Sequence, residues 1–195
     1  MKKLLTLFLA LTMVLSLAAC GGKTGSASPS DLPTAPVTPA AADALELMQA
    51  VWAKYGENEK FPILGGDLDN ASEEGPGVYG VGDPAMLDSD FALPTSAADK
   101  VDNAASIRHM MNANTFTAVA FHVKSAADVV PVADALEESV TGRQWMCGFP
   151  DKLVVILVGE YVVSVFGNEE LVDNFKAKTL AAWETATVAY DESLI

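Results

Sequence analysis

Cysteine is nearly missing from this chain: Cys20 and Cys147 are the two among 195 residues. A disulfide framework of the kind that staples small exported domains is therefore excluded, and the fold has to rest on a hydrophobic core. Histidine is as scarce, with His109 and His122 alone, which leaves few ways to assemble a histidine-activated nucleophile. Basic residues are outnumbered, 12 Lys and Arg against 26 Asp and Glu, for a net charge of -14. That charge repels nucleic acid and anionic lipid surfaces, so no nucleic-acid partner is expected. Cationic peptides, metal ions and basic protein patches stay open as partners, beside the plainer account that acidity keeps an exported domain soluble. A run long enough to cross a bilayer is lacking too. The stretch from Leu4 to Ala19 makes a helix of roughly 24 Å against a hydrocarbon core of about 30 Å.

What stands at the amino terminus is the layout of an export signal. Met1-Lys2-Lys3 supplies positive charge, the apolar stretch follows, and small residues precede a cysteine. The stretch Leu17-Ala18-Ala19-Cys20 resembles the lipobox of bacterial lipoproteins. The resemblance implies cleavage before Cys20, diacylglycerol on its sulfur, and acylation of the new amino terminus with chains such as palmitate. Two or three acyl chains hold a protein on a bilayer, where a single one does not. Residues 1–19 are thus read as a lipoprotein signal peptide and Cys20 as the anchor. Removing Lys2 and Lys3 leaves ten basic against 26 acidic residues, about -16 for the mature chain. Gly21 to Thr38 is rich in Gly, Ser, Thr and Pro and cannot bury enough surface to order itself. Residues 20–38 are read as a lipidated cysteine and flexible linker, and the expected location is the extracytoplasmic face of a cell membrane.

Residues 39–195 have the length of a single domain, too short for the two lobes of a typical solute-binding protein. Thr38-Pro39 offers a cap and a first helical proline, and Ala44, Leu47, Met48, Val51, Trp52 and Tyr55 recur at helical spacing. Glu57 to Pro94 reads as a long irregular loop with a turn of helix near Ala85 to Leu87. Thr95 or Ser96 can cap a short helix through Asp99 to Asn103. Thr117, Val119, Phe121 and Val123 alternate as on a strand with one well-buried face. Ser125 or Asp128 then caps a helix carrying Val129, Val132, Leu136 and Val140; Pro131 favours the later start, where it removes no intrahelical hydrogen bond. Leu153–Val158 and Tyr161–Phe166, joined by Gly159-Glu160, predict a type II′ hairpin pairing Val158 with Tyr161 and Ile156 with Val163. Both faces are apolar, which predicts a place in the sheet interior. Asn168 caps a last helix with Leu171, Val172, Phe175, Thr179, Ala182 and Trp183 on one stripe.

With these elements placed, the segment from about Pro84 to Trp183 resembles a family of clostridial-type lipoproteins catalogued as domain of unknown function 4358. The likeness is carried by Met110-Met111-Asn112, by Ala118-Val119-Ala120-Phe121-His122-Val123-Lys124, and by Gly159-Glu160-Tyr161-Val162. It implies that Ala105 to Met111 is a strand pairing with Thr115 to Lys124, which the alternation of Ile107, His109 and Met111 allows. The expected architecture is α+β, a four-stranded, mainly antiparallel sheet with packed helices. The family brings location and architecture, and no activity.

Candidate chemistry is thin. Trp145-Met146-Cys147-Gly148 lacks the context of a cysteine hydrolase, and an idle thiol is the simpler account. His109, Met110 and Met111, with Cys147 nearby, would offer soft ligands for copper. Adjacent methionines on a strand point to opposite faces, however, and Met111 reads more naturally as core. Asp67 to Glu74 has the look of a calcium loop, but Ala71 cannot ligate and Ser72 stands where an EF-hand loop has glycine. Gly75 to Gly82 lacks the lysine and helix start of a phosphate loop, and reads as a mobile segment on the edge of the domain. Long loops on a rigid scaffold often carry recognition, which makes Asp67, Asp69, Tyr79 and Asp83 the candidate binding residues. No cofactor is called for. The expectation is a non-enzymatic module binding a protein, peptide or small ligand. The alternative is an envelope enzyme or metal-binding protein using Cys147 with His109 or His122.

Overall fold

The computed structural model describes residues 41–146 and 148–195. The signal, Cys20, the linker, Thr38-Pro39 and Cys147 lie outside them. Helix α1 spans Ala44–Trp52 and starts at Asp43, whose Oδ1 accepts the Glu46 amide at 2.8 Å. Among the described residues the helical turns thus begin several positions after Pro39, because Asp43 takes the amide that the first turn leaves without a partner. The predicted stripe holds: Ala44, Leu47, Met48, Val51, Trp52 and Tyr55 are all buried.

The expected long loop contains two short strands and a helix. Strands β1 (Ile63–Gly65) and β2 (Gly77–Val78) precede helix α2 (Pro84–Phe91). Asp83 caps α2, accepting from the Ala85 and Met86 amides at 2.9 and 3.3 Å, and Pro84 stands in the first turn, where no partner is needed for an N–H. Ala92, at φ +58°, ends it in the left-handed conformation. Strand β3 runs Val101–His109 after a 3-10 turn at Ala98–Lys100, so the short helix expected through Asn103 is mostly strand. The chain continues through β4 (Phe116–Val123) into helix α3 (Val129–Thr141). Pro131 occupies the third helical position, as its missing N–H requires. The Ser125 hydroxyl caps the preceding 3-10 turn instead.

Strands β5 (Lys152–Val158) and β6 (Tyr161–Gly167) form the predicted hairpin, in the predicted register. Gly159 has φ +59°, and Glu160 is not among the residues of positive φ, which is the sign pattern of a type II′ turn. Helix α4 (Glu169–Ala182), capped by Asn168, and strand β7 (Thr187–Ser193) complete the chain.

The described strands form one antiparallel sheet in the order β1-β3-β4-β6-β5-β7, with β2 also paired to β3. It is an α+β fold, but the sheet has seven strands where four were expected. The expected four are the contiguous centre. The additions are edge pieces whose sequence carries little signal: β1 and β2 have three and two residues, and β7 is mostly exposed and polar.

Two apolar layers explain the continuous hydrophobic runs. Val154, Ile156, Val163 and Val165 face α1 and α4, together with Phe116, Ala118 and Phe175. Leu153, Val155, Val162 and Phe166 face α2 and α3, together with Val119, Phe121 and Leu136. β4 is accordingly buried on both faces rather than one. Each large side chain so covered contributes about 1.5–3 kcal/mol. No helix among the described residues is long and apolar enough to cross a membrane.

Candidate functional site

The four residues proposed from the loop, Asp67, Asp69, Tyr79 and Asp83, line one cleft of about 310 Å³ at the β1/β2 edge of the sheet. One wall is the turn after β1. Asp67 Oδ1 accepts the Asp69 and Asn70 amides, both at 3.0 Å, and the Asn70 side-chain Nδ2 at 2.9 Å. Its Oδ2 accepts the Gly80 amide at 2.8 Å. Desolvation pushes the Asp67 carboxyl up, but the bonds from Gly80, Asn70 and Asp69 outweigh it and hold the carboxyl below its ordinary value. Asp67 is thus a structural clasp joining two segments of the cleft.

The glycines around it allow backbones to touch. A Cβ on Gly65 would lie 2.2 Å from the Gly75 carbonyl oxygen, so only glycine permits β1 to meet the 75–77 segment. The Asp67 amide donates to Val78 O and the Gly66 amide to Ser106 O, at 3.2 and 3.1 Å. The segment read as mobile is therefore tied at several points to its neighbours, and the cleft is formed in advance.

Arg108, from β3, forms the floor. Its Nη1 donates to Asp90 Oδ2 at 2.7 Å and its Nη2 to Gly66 O at 3.3 Å. The guanidinium lies 5.9 Å from the ring centres of both Tyr79 and Phe91. Tyr79 donates its hydroxyl to the same Asp90 oxygen at 2.8 Å, and burial followed by that carboxylate raises the phenol well above its usual range. Arg108 Nε is buried without a partner, while Asp90 Oδ1 accepts nothing and is not among the buried orphan atoms, so it reaches solvent. Met86 and Leu68, exposed by 46% and 95%, give the rim an apolar character.

Asp90, Arg108, Met86 and Leu68 were not among the candidates. Asp90 stands seven residues after Asp83, two helical turns on, so a helix capped by Asp83 would have placed both carboxylates on one side. Arg108 shares a strand face with Ala104, a member of the α2/α3 layer. Nothing local to Arg108 tells which loop covers that face.

Comparison with protein-family models, with curated proteins and with solved structures returns no match.

The histidines are not neighbours. His122 aligns with Asn103 and His109 ends the same strand six residues later, which separates them by roughly 20 Å along β3. His122 Nδ1 lies 2.6 Å from Asp102 Oδ1, and its ring is tilted against Tyr161, whose hydroxyl donates to Ala41 O at 3.0 Å. His109 stacks on Phe61 and accepts the Met111 amide at 3.2 Å through Nδ1. Met111 is not core: it lies beyond the end of β3 and is 82% exposed. Among the described residues no three His, Cys, Asp or Glu side chains could hold one metal ion, and this includes the Asp67–Glu74 loop.

Proposed function

We propose that this protein is a membrane-anchored bacterial lipoprotein whose domain serves as a non-enzymatic binding module at the cell envelope, with the cleft between the Asp67–Asn70 turn and α2 as its site. The anchor is Cys20 and the face is extracytoplasmic; the lipobox-like stretch and the polar linker carry that part of the reading. The observation that carries the rest is the gathering of Asp67, Asp69, Tyr79 and Asp83 around one preformed cavity. Small-ligand sites are concave, largely preformed, and combine apolar walls with a few placed polar groups. This cleft has each of those properties. Asp67 is engaged as a clasp, Asp83 as a cap and Asp90 as the partner of Arg108 and Tyr79, which suits recognition better than proton transfer. The partner class is a protein segment, peptide or small molecule presented outside the membrane.

Two measurements test the reading. Labelled palmitate should enter the full-length protein in cells and be lost from a Cys20→Ala variant; unchanged labelling would remove the anchor. A photo-crosslinking residue at Leu68, on the rim, should capture a discrete adduct that the same residue at the exposed Val130 of α3 does not. Equal capture at both positions would remove the cleft.

A further inference from the structure

We propose that the cleft selects a cation: a primary ammonium or guanidinium group carried on an apolar body, the chemistry of a lysine or arginine side chain. The inference rests on the reading of the cleft as the binding site and adds the class of ligand.

Charge argues first. Asp67, Asp69, Asp83 and Asp90 line the cavity against a single guanidinium, which leaves three negative charges in excess. That guanidinium, on Arg108, is already matched by Asp90 and has its Cζ 5.9 Å from the centres of two rings, so it offers an incoming anion little. A concave site lined by one sign of charge focuses its field and concentrates ligands of the other sign.

Hydrogen-bonding capacity argues next. The Asp69 carboxylate has no partner among the described residues, Asp83 accepts only through Oδ1, and Asp90 Oδ1 is unbonded. These open acceptors come from three points, the turn after β1 and the two ends of α2. An ammonium has three donors and a guanidinium five, so either can engage several such acceptors. A bare metal ion needs its ligands to converge on one point, and no three of these carboxylates do.

The rest of the cavity fixes the remainder of the ligand. Leu68 and Met86 present apolar surface to solvent at the rim, which is a place for methylenes or a ring. About 310 Å³ stands at the small end of ligand sites, which run from about 300 to 1,000 Å³. The cleft therefore accommodates one side chain or a small amine rather than a folded surface.

The test uses the full-length, isotope-labelled protein in non-ionic detergent, with the backbone amides of Asp69, Gly80 and Gly82 as reporters. The probes are 4-phenylbutylamine, its neutral analogue 4-phenylbutanol, its anionic analogue 4-phenylbutyrate, and a terminally blocked Gly-Phe-Lys-Phe-Gly peptide. The expected result is saturable shifts with the amine, binding weaker by about tenfold for the alcohol, and none for the carboxylate. Added salt should weaken the amine, and Asp69→Asn should do so by about threefold, since Asp69 is exposed and its side chain holds nothing in the fold. Tighter binding of the peptide would place the cation on a polypeptide, and tighter binding of the amine on a free small molecule. Equal binding of amine and alcohol, or preference for the carboxylate, would overturn the cationic class while keeping the cleft as a site. Silence of all three reporters toward every probe would overturn both.

Discussion

Asp67 Oδ2 accepts the Gly80 amide across 2.8 Å, joining two turns that are thirteen residues apart in sequence. Because Asp67 Oδ1 takes three further donors, one side chain holds the mouth of the cleft. Asp67→Asn keeps the shape but turns one acceptor into a donor facing an N–H. We expect a loss of about 1–2 kcal/mol in urea unfolding. The sign with pH follows from the lowered carboxyl: its contribution is complete above the ordinary value of 3.8 and disappears as pH falls through the folded value. The variant should therefore be the less sensitive of the two to acid. Equal stability of both proteins at neutral pH would refute the clasp.

Gly65 is a steric requirement. Gly65→Ala places a methyl 2.2 Å from the Gly75 carbonyl oxygen, and backbone on both sides must move. The expected cost is about 3 kcal/mol or more, read by denaturant unfolding. Gly82→Ala, where nothing lies within 4 Å, is the control and should change stability by less than about 0.5 kcal/mol.

Arg108 and Asp90 act as a pair. Asp90→Asn leaves a four-fifths-buried guanidinium without its counter-charge, and we expect destabilisation of about 2 kcal/mol. Arg108→Met alone frees Asp90 and Tyr79 from the ion and should cost a similar amount. The double variant should be more stable than the sum of the two losses implies, by about 1 kcal/mol or more, because neither charge is then stranded. A double-mutant cycle by thermal or urea unfolding measures this, and strict additivity would exclude the coupling.

The exposed last strand is held by a charge network. Lys152 on β5 lies 2.8 Å from Asp173 on α4 and 2.9 Å from Asp191 on β7, and Lys176 contacts the same two carboxylates at 2.7 and 2.8 Å. Hydrogen bonds from these lysines hold both carboxyls below their ordinary value of 3.8, and the carboxylates raise both lysines above 10.5. The carboxylate contribution is complete above pH 3.8 and is lost as pH falls through the folded values; the lysine contribution is complete below pH 10.5 and is lost as pH rises through theirs. Amide exchange of Tyr190 and Glu192, whose N–H groups point toward β5 in this register, should thus be slow, relative to intrinsic rates, across the interval and rise at the acid end. Lys152→Met should remove part of that acid dependence, Lys176 still holding both aspartates, at a cost of about 1 kcal/mol, since the aspartates are partly exposed and solvent screens the pairs.

The elements with a strong local signature were legible. Val158 faces Tyr161 because a two-residue Gly-X link leaves one register, and the unbroken apolar runs of β5 and β6 require cover on both faces. Asn168 and the Pro131 position set the starts of α4 and α3 by backbone hydrogen-bond chemistry alone. Thr38-Pro39 offers an equally good local start by sequence but lies outside the described residues, among which the start is set by Asp43 through its bond from the Glu46 amide. The sheet was undercounted: Ile63–Gly65, Gly77–Val78 and Thr187–Ser193 have too little apolar alternation to announce themselves, and they are strands because neighbours offer them an edge.

The sequence by itself determined the two-sided apolar sheet, the caps that bound its helices, the acidic balance, and the choice of Asp67, Asp69, Tyr79 and Asp83 as residues worth watching. Those properties follow from chemistry within a few residues of each position. Only the tertiary structure decided that these four share one cavity, that Asp67 is a clasp, and that Arg108 and Asp90 form the floor between them. Likewise, only the register of β3 with β4 set His109 and His122 at opposite ends of the sheet. Separation in sequence carries no information about separation in space once β1, β2 and β3 fold back on one another, because that pairing is fixed by contacts between segments and not by the preferences within any one of them.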